Sequence, residues 1–135
     1  MTDVSPELRA KFESTPFAKH IGVRILDVAV GYARLAVRLE PKHANFLGGP
    51  HGALIASIAD CALAVACNTF GREYVGIALS MVFTGTASMQ GELFAEARTF
   101  HPGRTTNVTE ITVTDEKGKL IARATGTSLA RPAPK

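Results

Sequence analysis

Four residues in one stretch of the chain carry groups able to act on a carbonyl carbon: Asn45, His51, Gly52 and Asp60. His51-Gly52 opens HGALIASIADCALAVACN, an Ala- and Leu-rich run of strong helix formers. The first turn of a helix leaves backbone N–H groups without partners, and its dipole favours negative charge there. Gly52 has no side chain, so an acyl oxygen can approach its amide closely. Such a donor is the recipe for an oxyanion site, worth about 2.7–4 kcal/mol where one has been removed from a hydrolase. His51 can donate a hydrogen bond or seat the loop before the helix. Asp60 is the one carboxylate in the run. A helix apolar on every side must be buried on nearly every side, and an unpaired buried charge is costly. Asp60 is therefore either held by hydrogen bonds or reserved for chemistry, and the residues alone leave both open. It lies about 12 Å along the helix axis from Gly52, too far for both to act on one carbonyl within a protomer. Across a two-fold dimer that distance can close.

Other chemistries find less support. Ser57 has no G-x-S-x-G frame and no neighbouring base. The two cysteines, Cys61 and Cys67, are separated by about 9 Å of helical rise, beyond the reach of a disulfide. They read as small buried hydrophobes in a reducing compartment. His20, His43 and His101 show no metal-ligand spacing, so no metal is expected. Gly48-Gly49-Pro50 reads as a tight turn, since neither a GxGxxG nor a P-loop pattern is present.

The elements that must position these groups follow from pattern. Ser5-Pro6-Glu7 predicts a helix start with Ser5 as N-cap, and Leu8, Phe12 and Phe17 extend an apolar stripe to about residue 19. Residues 22–30 read as a strand, and 32–39 alternate in a way that predicts one face in the core and one outward. A loop over 42–50 delivers the chain to the apolar helix. Four more strands follow, over 74–84, 93–100, 105–114 and 119–129, separated by short turns. The tail 131–135 is expected to fray. Short turns imply an antiparallel sheet. The simplest cover for a helix that is apolar all round is a sheet curled about it, giving an α+β fold. One layer of sheet still leaves one side of that helix open, and a second copy of the chain is the obvious cover, so a homo-oligomer is expected.

The 135 residues suit one domain over 1–135, with 1–19 as an N-terminal helical segment. The net charge is +3 and the pI about 9.1, but Lys and Arg are scattered with no dense basic tract, which argues against nucleic acid. The polar N-terminus lacks a signal-peptide core, and the apolar helix is short for a membrane span and carries Asp60 at its centre. A cytoplasmic protein with no membrane partner is the expectation.

Asn45-Phe46-Leu47-Gly48-Gly49-Pro50-His51-Gly52-Ala53, followed by Ala59-Asp60-Cys61-Ala62, resembles the hotdog-fold acyl-CoA thioesterases, and the stretch ADCALAVACNT over 59–69 is similar to the phenylacetate-degradation (PaaI-type) branch. The resemblance runs from about residue 17 to 129 and includes Gly103-Arg104-Thr105 and the closing Gly118-Lys119-Leu120-Ile121-Ala122 and Gly126. It implies an antiparallel sheet wrapped around a central helix, paired into dimers and usually tetramers. It implies hydrolysis of aryl- or medium-chain acyl-CoA, with CoA as part of the substrate and no separate cofactor. By the same carry-over Asp60 acts from one subunit, as general base or nucleophile, while Asn45, His51 and Gly52 come from its partner. Gly103, Arg104 and Thr105 are placed near CoA, and Phe46, Met81 and Phe83 are offered as acyl-pocket lining. The chain departs from the family pattern at Ala53, at Gly85-Thr86-Ala87, and at Ala64 and Ala78, where some members carry a hydroxyl that positions water. Those last two departures admit a catalytically decayed acyl-CoA binding protein as an alternative. An enoyl-thioester hydratase of this fold is less favoured, because CALAVACN after Asp60 supplies no histidine.

Overall fold

The computed structural model describes residues 4–132. Two short helices open it, α1 (Pro6–Glu13) and α2 (Pro16–Ile21). Ser5 caps α1 as expected, its hydroxyl accepting from the Leu8 amide at 3.3 Å. The single helix read to residue 19 is broken instead at Pro16, which has no N–H to continue the ladder and holds Thr15 at ψ 121°. The break also reorients the second half. Phe17 is 54 % exposed and Ala18 is buried in its place.

The sheet is built from β1 (Val23–Ala29), β2 (Tyr32–Arg38), β3 (Tyr74–Phe83), β4 (Glu92–Pro102), β5 (Thr106–Thr114) and β6 (Leu120–Ala130). Every pairing is antiparallel, in the order β1-β2-β4-β5-β6-β3. The long helix α3 (Gly52–Cys67) is the one element laid against this sheet along its length. Ile58, Leu63 and Ala66 of α3 are buried among Leu35, Val37, Leu93, Ile111, Val113 and Ile121 of the strands, forming one continuous core. Gly126 of β6 permits the closest approach. A Cβ there would lie 2.6 Å from a Leu63 methyl, inside any real contact. Asn107 ties down the far end, its amide donating to the Cys67 carbonyl at 3.3 Å. Both cysteines are free, Cys67 buried and Cys61 half-buried.

β2 departs from the expected in–out alternation, since Tyr32 and Ala36 on its outer face are buried as well. The cover is side-chain rather than backbone: Tyr32 Oη donates to Glu96 at 2.8 Å, Arg98 lies over the Tyr32 ring and Arg34 over Phe94. Burial, then the hydrogen bond and the charge of Glu96, push the Tyr32 hydroxyl up to about 12.

β3 forms one edge of the sheet and pairs only with β6. It is ten residues long, and Val75, Ile77, Val82 and Phe83 stand exposed along it. A long apolar edge strand is a surface that soluble proteins normally cover. Arg131 is not frayed. Its amide donates to the Glu73 carbonyl at 2.8 Å and its guanidinium pairs with the Glu73 carboxylate at 3.5 Å. The rest of the expected tail, 133–135, lies outside the described residues.

Candidate active site

The loop 44–50 is an Asn-centred turn. Asn45 Oδ1 accepts from the amides of Leu47 at 2.9 Å and Gly49 at 3.1 Å, and the Asn45 backbone N–H donates to the Gly49 carbonyl at 2.7 Å. Gly48 makes the reversal possible with φ at +88°, a conformation side chains rarely adopt. The Ala44–Pro50 bridge closes the base. Asn45 therefore spends its oxygen on the loop, and only its amide nitrogen, 3.5 Å from the Pro50 carbonyl, has capacity to spare.

His43 anchors the same loop from below. It is buried, with Nδ1 accepting from the Glu40 amide at 2.9 Å, so Nε2 carries the proton and donates to the Ile21 carbonyl at 3.0 Å. Both ring nitrogens are used, which makes His43 a structural residue that sequence spacing did not single out.

His51 is the N-cap of α3. Its Nδ1 accepts from the Ala53 amide at 2.9 Å. The His51 amide donates to the His43 carbonyl, and the Leu54 and Ile55 amides both donate to the His51 carbonyl. Gly52 N–H is thus the one amide of this turn with no acceptor among the described residues. A Cβ on Gly52 would meet the Phe83 ring at 3.4 Å, which places this end of α3 over the end of β3.

Asp60 is exposed in the single chain, together with Ala53 and Ala64, and half-buried Ser57 lies between them. These positions form one stripe along α3 at helical spacing, the side that the sheet leaves open. The helix is therefore not enclosed all round, as its composition suggested: it is enclosed except along the stripe that carries its carboxylate. Although its side chain reaches the surface, the carboxyl of Asp60 is partly shielded from water by the surrounding chain, and that desolvation raises it above its ordinary value. Burial, and then the Asp60 charge, push the adjacent Cys61 thiol up to about 11, so Cys61 is a poor nucleophile at neutral pH. Ser57 is spent as well, its hydroxyl donating to the Ala53 carbonyl at 2.7 Å.

Three hollows adjoin the open stripe, one of about 240 Å³ beside His51, Ala53 and Ser57 and two along its second half. An apolar cavity of about 80 Å³ lies beneath α1 and α2 and reaches Cys61, Ala64 and Val65. Phe46, Met81 and Phe83 do not line it. Phe46 instead projects from the loop at 95 % exposure, and Phe83 lies at the sheet edge by Gly52. A wider groove of about 530 Å³ starts at Ala64 and Asn68 and passes Lys11, Arg72 and Arg131. Gly103, Arg104 and Thr105 border its far end: Arg72 donates to the Arg104 carbonyl at 2.7 Å and Tyr74 Oη to the Gly103 carbonyl at 3.1 Å. Within one chain these three residues are not brought to Asn45, His51 and Gly52. The groove arginines at 72 and 131 had no motif to announce them. Among the described residues no cluster of His, Cys, Asp and Glu could hold a metal, and no helix is long and apolar enough to cross a membrane.

Residues 47–122 match the model of the thioesterase superfamily. The acyl-coenzyme A thioesterase PaaI of Escherichia coli is 29 % identical over 119 residues, covering 88 % of this chain and 85 % of its own. Human acyl-coenzyme A thioesterase 13 is 25 % identical over 131 residues, covering 91 % and 94 %. The solved structure of the E. coli PaaI protein from the phenylacetic acid degradation operon superposes with a TM-score of 0.88 at 28 % identity, over 92 % of this chain and 90 % of that one. The antiparallel sheet and the helix it covers are thus shared with these relatives, and the chain belongs to the thioesterase superfamily as a PaaI-type hotdog-fold thioesterase.

Proposed function

We propose that residues 1–135 act as one hotdog domain that hydrolyses acyl-CoA thioesters at a site shared between two subunits. The observation that carries this reading is the unclaimed Gly52 amide at the head of the helix whose open stripe holds the unpaired Asp60.

The direction of two elements supports the sharing. The start of α3 lies over the end of β3 through Gly52 and Phe83, and the end of α3 lies by the start of β3, where Asn68 and Tyr74 exchange hydrogen bonds at 2.7 and 3.1 Å. Antiparallel pairing of two β3 edges about a two-fold axis would run the two α3 helices antiparallel, with the partner subunit's Gly52 along the second half of this α3, and a pairing register displaced along the edge would bring it towards Asp60 and Ala64. The same pairing covers the exposed apolar residues of β3.

The thioester carbonyl accepts from the Gly52 amide of one subunit, and Asp60 of the other takes a proton from the attacking water. The tetrahedral oxyanion is stabilised at the helix N-terminus, the carbon–sulfur bond breaks, and the departing CoA sulfur recovers the proton from Asp60. His51 Nε2–H, left free by the cap, supplies a second donor, and Asn45 fixes the loop that holds both. The raised carboxyl of Asp60 makes it a better base than an aspartate at its ordinary value. The CoA moiety is assigned to the groove of Lys11, Arg72 and Arg131, next to the 103–105 turn, where Lys11 and Arg72 offer positive charge to its phosphates and Arg131 is paired with Glu73 of the same wall.

The test is release of free CoA from a panel of acyl-CoAs by the purified protein, with Asp60→Asn alongside. Turnover that falls at least about a hundredfold in the variant supports the reading. Absence of turnover with retained acyl-CoA binding would support the decayed binding protein instead. Light scattering decides whether the dimers pair again into the tetramer that the resemblance implies.

A further inference from the structure

The geometry points to the cavity beneath α1 and α2 as the acyl pocket, and to a short, apolar acyl group of about four carbons or fewer as the group it selects. This inference rests on the acyl-CoA reading above.

Position is the first argument. Cys61 in the cavity wall follows Asp60 directly, and Ala64 lies one turn further along the open stripe. The cavity and the groove share Phe12, Thr15 and Ala64 in their walls, so the two hollows lie side by side. A thioester set over Ala64 sends its CoA along the groove and its acyl group inward.

Chemistry is the second. The lining is carbon on nearly every side: Phe12 and Ala18 from above, Ile25 and Leu35 from the sheet. The carboxylate at the rim, Glu13, is paired with Arg9 at 2.9 Å. Beyond the Thr15 hydroxyl and the Cys61 thiol, a polar or charged acyl group would find no partner within.

Size is the third. At about 80 Å³ the cavity is roughly half the volume of a 150 Å³ apolar cavity that takes up benzene. The aryl and medium-chain groups suggested by the family resemblance are therefore too large for the pocket as built. Its roof is also fastened, because the Arg9 guanidinium that holds Glu13 also donates to the Ile25 carbonyl of β1 at 3.1 Å. Helices α1 and α2 lie outside the stretch 47–122 that matches the family model, so the roof is set by residues that the match does not include.

Non-hydrolysable thioethers separate this inference from the hydrolytic reading. S-butyl-CoA, S-octyl-CoA, S-(2-phenylethyl)-CoA and CoA itself are titrated into the intact protein by calorimetry. The butyl ether is expected to bind at least about tenfold more tightly than the octyl and phenylethyl ethers, the scale on which apolar pockets resolve size. Phe12→Ala should erase that preference by opening the roof. Ala18→Val should narrow the pocket and weaken the butyl ether about tenfold while leaving CoA alone unchanged. Equal affinities, tighter binding of the large ethers, or no gain of any ether over CoA in the wild-type protein would each overturn the pocket assignment. Ether selectivity without any acyl-CoA turnover defeats hydrolysis alone, and turnover with a preference for aryl or octanoyl groups defeats the pocket alone. Melting curves confirm that each variant is folded.

Discussion

His51 Nδ1 accepts the Ala53 amide hydrogen at 2.9 Å, and that single bond fixes both the start of α3 and the face its imidazole presents. With Nδ1 an acceptor, the neutral ring carries its proton on Nε2, away from the helix. The cap also consumes the amide next to Gly52, so the unclaimed donors at this corner are Gly52 N–H and His51 Nε2–H.

His51→Ala should remove the cap and lower stability by about 1 kcal/mol. His51→Asn restores a capping side chain without the outward Nε2–H. It is expected to melt near the wild-type temperature yet lose about a hundredfold in kcat, a split that separates capping from chemistry. Wild-type turnover in the Asn variant would reduce His51 to a cap.

Asp60 makes a two-sided prediction. Its carboxyl is raised in the folded chain by burial, so between its ordinary value and the raised one the native state binds more protons than the unfolded state. Stability is then fully present below the ordinary carboxylate value, falls as pH rises through the raised one, and stays lower above it. Asp60→Asn should accordingly melt higher than wild type near pH 7, with the difference vanishing as pH falls below about 4. Activity moves the other way: kcat/KM of the wild type should rise with pH along the same limb, and the variant should be nearly inactive throughout.

The β3 edge should hold the dimer. Ile77 and Val82 are 55 and 63 % exposed in the single chain, and replacing both with Lys sets like charges along that edge. The expected outcome is a folded monomer by light scattering that has lost turnover although Asp60 and Gly52 are intact. An active monomer would contradict the shared site.

Gly126→Ala tests how tightly α3 is seated. The added methyl would sit 2.6 Å from Leu63 Cδ2, and overpacking of this kind costs about 1–3 kcal/mol. Pairing it with Leu63→Ala should recover part of the loss, read as non-additivity in a denaturation cycle.

Much of this was legible along the chain. The strands announced themselves through alternation and β-branched runs, and the turns between them through Gly, Pro and Asp, because those signals are local. Asn45, His51, Gly52 and Asp60 stood out for the same reason: each is an unusual residue type beside an apolar helix. What local pattern missed were effects of neighbours distant in sequence. β2 is covered on its outer face by Arg98, Glu96 and Phe94, which lie some sixty residues on and supply rings and guanidinium planes rather than backbone. Phe17 is turned outward because Pro16 restarts the helix. The role of His43 depends on the Ile21 carbonyl and the Glu40 amide meeting at one ring, which spacing to other ligands does not reveal.

The sequence by itself determined that a helix rich in Ala and Leu would need covering on most of its surface and would carry one carboxylate, because composition sets the demand for burial. Only the tertiary structure decided which side went uncovered. Five strand pairings in one sheet place α3 so that its open stripe coincides with Asp60, and strand order leaves β3 as the edge beside it. That outcome depends on long-range pairing, which no window of neighbouring residues encodes. The sheet covers the rest of the helix and leaves Asp60 uncovered for a partner.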